Sequence, residues 1–117
     1  MKEYSHSNLN VWLDTKTEIE MKIITGVYKE NSRFPSVNEI TEIYKVGKST
    51  AQKISTALYE EKILYKERGI GFFVQENARQ ILYQKHYEIL KSKIQEIYTY
   101  ATKMYMCDVE IQKLIKI

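Results

Sequence analysis

Apolar positions near the start of the chain fall mostly on one helical face: Trp12, Ile19, Ile23, Ile24 and Val27 predict a first helix over about 14–25. Gly26 follows where a left-handed C-terminal stop is expected. The first ten residues are polar with few apolar anchors and read as a mobile arm. Next comes the only proline, Pro35, and then Ser36-Val37-Asn38-Glu39, which has the Ser-x-x-Glu form of a capping box. It predicts a short helix over 37–44 that buries Val37, Ile40 and Ile43. After a break at Lys45-Val46-Gly47, the set Ala51, Ile54, Ala57 and Leu58 defines a third helix at about 48–60. Its opposite face carries Lys48, Ser49, Gln52, Lys53 and Thr56, with no acid until Glu60.

The pattern then changes period. Ile63-Leu64-Tyr65-Lys66 and Phe72-Phe73-Val74-Gln75 are β-branched and aromatic runs that bracket Glu67-Arg68-Gly69-Ile70-Gly71, a β-hairpin with a glycine-rich tip. Asn77-Ala78-Arg79-Gln80 resembles a second capping box, and neither Gly nor Pro occurs from there to the end. Leu82, His86, Leu90, Ile94, Ile97, Ala101 and Met104 are spaced 4, 4, 4, 3, 4 and 3, a narrow helical stripe. A helix of about 25 residues is close to 40 Å long at 1.5 Å per residue. A small N-terminal core cannot bury that length, so the expected cover is the same helix of a second copy. Ile111, Leu114 and Ile115 give a last short helix after a turn around 105–108.

These elements add up to a mainly α fold with a small β-hairpin wing. A winged helix-turn-helix over 1–77 is followed by a helical dimerisation region over 78–117, a long helix and a short C-terminal one. Composition agrees with a folded chain: 44% of the 117 residues are hydrophobic and 28% charged. One cysteine, Cys107, cannot form an internal disulfide, and no signal-peptide pattern or membrane-length apolar run is present, so a cytoplasmic protein with no membrane partner is expected. Net charge is +3, but residues 1–77 hold 11 basic and 11 acidic residues while 78–117 hold 7 and 4. Bulk charge therefore makes no case for nucleic acid; local clustering does, through Lys45, Lys48 and Lys53, and through Lys66 and Arg68 beside the glycines. Only Arg33, Arg68 and Arg79 are arginines, against 15 lysines.

A helix face offering Lys, Ser, Gln and Lys can enter a major groove, where Gln pairs with adenine and Lys with guanine edges or phosphate. Arg68, between an acid and a glycine, can approach a minor groove, because Gly69 and Gly71 remove bulk. The plain alternative is a solvated helix face beside an ordinary hairpin, or a winged helix that binds protein, which the zero net charge of residues 1–77 favours. Other chemistry finds little support. Gly47-Lys48-Ser49-Thr50 looks like the end of a phosphate-binding loop, but Glu42 stands where the first glycine is needed and no strand precedes it. Gly69-x-Gly71 lies within a hairpin and not between strand and helix. His86 sits on the apolar stripe, where packing is commoner than metal ligation, and His6 and Cys107 give it no ligand spacing. Tyr83, Tyr87, Tyr98, Tyr100 and Tyr105 suit interface packing, with a small apolar ligand site as the other reading. No carboxylate pair, nucleophile with base or metal triad offers catalysis, and no cofactor is expected.

Phe34-Pro35-Ser36-Val37-Asn38-Glu39-Ile40, Val46-Gly47-Lys48-Ser49-Thr50-Ala51 and Arg68-Gly69-Ile70-Gly71-Phe72-Phe73-Val74, in that order and spacing, resemble the DNA-binding domain of the GntR family of bacterial transcription regulators. The resemblance covers about residues 12–77. The family pattern places arginine where this chain has Asn38, Lys48 and Gln52, and serine where it has Gly47. Arg to Lys loses a bidentate fork and Arg to Asn or Gln loses the charge, so an operator unlike those of better-known relatives is implied. The resemblance implies Ser36, Asn38, Lys48, Ser49, Thr50, Gln52, Lys53, Arg68, Gly69 and Gly71 as DNA contacts, and a pseudo-palindromic double-stranded operator. The short C-terminal region resembles the YtrA subfamily, which implies a homodimer through Leu82, His86, Leu90, Ile94, Ile97, Ala101 and Met104. It implies repression of a transporter-type or self-encoding operon; a small-molecule effector is left open, with no residue set that calls for one.

Overall fold

The computed structural model describes residues 7–116. Its order is α1 (Ser7–Ile24), α2 (Val37–Tyr44), α3 (Lys48–Glu60), β1 (Leu64–Glu67), β2 (Gly71–Val74), α4 (Ala78–Lys103) and α5 (Asp108–Ile115). The mainly helical fold with a two-stranded wing is the one the sequence pattern predicts. Chain contacts divide it into two units that meet between Tyr83 and Gln84.

The first unit is built around Ile19, Ile23, Phe34, Ile40, Ala51, Ile54, Leu58, Ile63, Leu64, Val74, Ala78 and Leu82, with Trp12, Val37, Val46 and Phe72 packed at its margin. α1 begins seven residues before the expected start, and Trp12 in the added stretch packs against this core. Of the expected arm, residues 1–6 lie outside the described residues, and residues 7–10 are helical. The end of α1 is where Gly26 predicts it. The Val27 amide donates to the Lys22 carbonyl at 2.8 Å and the Gly26 amide to that of Ile23 at 3.2 Å, a Schellman closure with Gly26 at φ +86°. Gly26→Ala is expected to cost about 1 kcal/mol, read as a shifted urea midpoint at constant slope. Past this reversal Val27 is exposed and leaves the predicted stripe.

α2 carries its capping box in full: Ser36 Oγ accepts from the Glu39 amide at 3.1 Å, and the Ser36 amide donates to Glu39 Oε1 at 2.7 Å. The box buries only Ile40; Val37 is half-buried, and Ile43 is exposed, contrary to expectation, because α2 is short and turns only one narrow face to the core. Lys45, in the left-handed region at φ 56°, closes the helix and opens the three-residue turn into α3.

A small charged cluster lies inside this unit. Lys16 Nζ is 2.7 Å from Glu20 Oε2 and 3.0 Å from the Glu61 carboxylate, and the Lys16 and Glu20 side chains are 7% and 1% exposed. Burial pulls the Lys16 pKa down, but the hydrogen bonds and charges of Glu20 and Glu61 outweigh it and the net direction is up.

In the second unit, Ala101 and Ile111 are buried. The helix ends in a second Schellman closure, with Met106 N–H on the Ala101 carbonyl at 3.1 Å and Tyr105 N–H on that of Thr102 at 2.9 Å. Here the left-handed position, φ 60°, is held by a tyrosine that is 95% exposed. Cys107 caps α5, its amide donating to Glu110 Oε1 at 3.0 Å. Among the described residues no helix is long and apolar enough to cross a membrane.

Candidate nucleic-acid interface

The amphipathic spacing of α3 sorts its side chains cleanly. Ala51, Ile54, Ser55 and Leu58 are buried, while Lys48, Ser49, Gln52, Lys53 and Thr56 are exposed on the other side, with Thr50 half-buried between. No acid occurs among them before Glu60. The N-cap, Gly47, makes no side-chain cap hydrogen bond and a Cβ there would meet nothing within 4 Å. The first-turn amides of α3 thus lack a capping side chain, and the positive end of the helix dipole lies at an open surface. Lys53 Nζ lies 5.3 Å from the centre of the Trp12 ring, a cation–π contact that fixes where this charge sits.

The other predicted contacts belong to α2 and the wing. Asn38 is exposed in the first turn of α2. Ser36 has its hydroxyl oxygen engaged as the helix cap, so its remaining capacity is as an O–H donor. In the wing, β1 and β2 pair antiparallel with Leu64 opposite Val74 and Glu67 opposite Gly71, one residue displaced from the predicted strands. Arg68-Gly69-Ile70 forms the tip, closed by the Ile70 amide on the Glu67 carbonyl at 3.0 Å. Gly69 at φ +78° occupies the third position of this turn, which requires a positive φ in a type II geometry. Stacking of Tyr65 on Phe73 and a tilted contact of Tyr59 with Phe72 tie the wing to itself and to α3. The fold thus brings Lys48, Ser49, Gln52 and Lys53 onto one exposed helix face and Arg68, Gly69 and Gly71 onto an adjoining hairpin.

Arg33 was not among the expected contacts. Residues 31–34 pair with β2 as a third edge: Phe34 N–H donates to the Phe72 carbonyl at 2.8 Å, Val74 N–H to that of Ser32 at 2.9 Å, and Arg33 bridges Phe73. Arg33 Nη2 then reaches the Ile70 carbonyl at the wing tip, 3.3 Å away. Arg79, by contrast, is structural: its Nε donates to the Ile24 carbonyl at 2.7 Å and its amide to Glu30 Oε2 at 3.2 Å, closing the ends of two helices.

The expected dimer stripe separates into two classes. Leu82 is 1% exposed within the core of the first unit, and Ala101 is buried in the second, so neither is available to a second copy. Leu90, Ile94, Ile97 and Met104 are exposed, and His86 is half-buried. Tyr83, Tyr87, Tyr100 and Tyr105 are exposed and Tyr98 half-buried. Among the described residues no group of three His, Cys, Asp or Glu side chains is placed to hold a metal ion.

Residues 13–74 match the sequence profile of the bacterial regulatory proteins, gntR family. Over 91 residues the chain is 28% identical to the HTH-type transcriptional repressor YtrA of Bacillus subtilis (strain 168), an alignment spanning 78% of this chain and 68% of that protein. A GntR family transcriptional regulator from Listeria monocytogenes superposes with a TM-score of 0.76 at 24% identity, over 91% of this chain and 92% of that one. A transcriptional regulator from Oenococcus oeni gives 0.74 at 22%, over 91% and 88%.

Proposed function

The chain belongs to the GntR family of bacterial regulatory proteins, and on that premise we propose that this DNA-binding transcriptional regulator is a cytoplasmic homodimeric repressor of a pseudo-palindromic operator. The observation that carries the reading is the α3 face: lysines, serine and glutamine exposed together, without an acid, beside a wing whose tip is glycine and arginine. A protein-binding face would be mixed or apolar. Each protomer reads one half-site, with α3 in the major groove and the wing at the minor groove. Lys48, Ser49, Thr50, Gln52 and Lys53 read or anchor the major groove, Ser36 and Asn38 add contacts from α2, and Arg68, Gly69 and Gly71 meet the minor groove.

The helical region from residue 78 onward supplies dimerisation, through Leu90, Ile94, Ile97 and Met104 with His86 beside them. The printed role of the Bacillus relative, a repressor, supports repression here; the subfamily resemblance supports a transporter-type or self-encoding operon as the target. The regulatory character of the relatives supports binding, and not catalysis, as the activity.

The test is selection of duplexes from a random pool by the full chain, followed by titration against salt. An enriched inverted repeat with a steep negative salt slope is expected. Gln52→Ala is expected to change which bases are enriched, since a side chain paired to a base edge contributes about 1–3 kcal/mol of discrimination. Lys53→Ala should weaken binding on every sequence and flatten the slope by about one per protomer. Failure to enrich any duplex over bulk DNA would overturn the reading; equal losses by both variants on all sequences would overturn the division into reader and anchor.

A further inference from the structure

The side chain that the DNA-contact assignment leaves unused is Arg33, and its surroundings are specific. Its backbone is fixed on both sides by ladder hydrogen bonds to β2, Phe34 N–H to Phe72 and Val74 N–H to Ser32, so its position relative to the wing is set by the fold. Its guanidinium extends along the hairpin to the tip, donating from Nη2 to the Ile70 carbonyl. It also lies across Gly71: a Cβ built there would stand 3.8 Å from Nη2 and 3.9 Å from Nε. Arg33 also lines a groove together with Pro35 and with Glu39 and Ile43 of α2. Glu39 there has its carboxyl held below the ordinary range first by the hydrogen bonds from Ser36 and then by the charge of Arg33.

This guanidinium therefore stands between two elements assigned to DNA, the wing tip and the N-terminus of α2. That is also where positive charge is short, since α2 presents Asn38 in place of an arginine and carries Glu39 and Glu42. Arg33 is exposed, and one of its five N–H groups is committed to Ile70. The planar fork suits a phosphate, and a carbonyl held by one arm orients the rest.

We propose that Arg33 is a phosphate-binding residue of the DNA interface, gripping the sugar-phosphate backbone between α2 and the wing while holding the wing tip in place. The proposal rests on the DNA-binding reading above. A role confined to bracing the hairpin would show in stability and leave the electrostatics of binding untouched, which separates the two.

The experiment compares the full-length wild type with Arg33→Gln and Arg33→Lys. Each is titrated by fluorescence anisotropy between 50 and 200 mM salt, roughly the range over which phosphate contacts are resolved. One duplex is the sequence the wild type selects, the other a scrambled duplex of equal length. Arg33→Gln is expected to bind both about 5- to 30-fold more weakly, with a salt slope shallower by about one per protomer, and to unfold at a midpoint near the wild type's. Arg33→Lys should keep the slope and recover part of the affinity. Wild-type affinity and slope in Arg33→Gln would overturn this proposal alone, as would a loss of affinity with unchanged slope and a lowered midpoint. A wild type that binds neither duplex would overturn it together with the DNA-binding reading.

Discussion

Lys16→Met is expected to destabilise the first unit by about 3 kcal/mol or more, because it leaves the enclosed Glu20 without its buried cation. The substituted side chain fills nearly the same volume, so little packing is lost and the effect isolates the charge. In the native fold one ammonium is shared by Glu20, which is almost fully enclosed, and Glu61, which is partly exposed. Removing one partner of a buried ion pair commonly costs about 3–5 kcal/mol, because the remaining ion keeps its desolvation penalty. Urea unfolding measures this as a fall in midpoint at constant slope. Lys16→Met with Glu20→Leu should regain most of the loss, since replacing a whole buried pair is often neutral. A single mutant as stable as the wild type would show that the cluster contributes nothing. The pH dependence has a definite sign. Lys16 titrates above the ordinary lysine value when folded, so its contribution is complete at neutral pH and up to the unfolded lysine range near 10.5. It is lost as the pH rises further, through the folded value. Wild-type stability should therefore drop on that alkaline limb, and Lys16→Met should lack this component of the drop.

The second large effect is on assembly. Ile94→Glu is expected to yield monomers in sedimentation and to weaken operator binding about 10²–10⁴-fold, the gain ordinarily supplied when two linked modules engage two half-sites together. Ile94 is 42% exposed on a helix whose neighbouring apolar positions, Leu90 and Ile97, are exposed as well. Apolar area of this kind is stabilised when a second copy covers it, at about 25 cal/mol per Å² removed from water. In a two-fold interface each substitution occurs twice, so a glutamate at this position brings carboxylates into a dry contact from both chains. Ile94→Leu, which keeps the volume, should remain dimeric. A dimer that survives Ile94→Glu would place the interface elsewhere.

Much of the architecture was legible because it is written locally. The capping box at Ser36 and Glu39, the left-handed stop at Gly26 and the alternation of buried and exposed residues along α3 each depend on neighbours within four or five positions. What escaped depends on partners far along the chain. Arg33 belongs to a ladder with residues near position 73, and a single bridge needs no run of β-branched residues to announce it. Lys16 finds Glu61 across 45 residues. Leu82 fits the periodic stripe of α4 as well as Leu90 does, yet the first turns of that helix lie in the winged-helix core, and periodicity alone does not say which body covers a stripe. In the candidate site, residue types suggested the reading face, while the link from α2 to the wing required the fold.

Charge in residues 1–77 balances at 11 against 11, yet the outward face of α3 holds no acid before Glu60. A module so arranged has a dipole in place of a monopole. Its pull toward a polyanion is weak at long range, but the field near the duplex exerts a torque that turns the basic face inward before contact. Salt would then act on the encounter chiefly by shortening the distance over which the protein is aligned, about 10 Å at 0.1 M ionic strength. Orientation during approach, and not capture from afar, is what this distribution of lysines and glutamates favours.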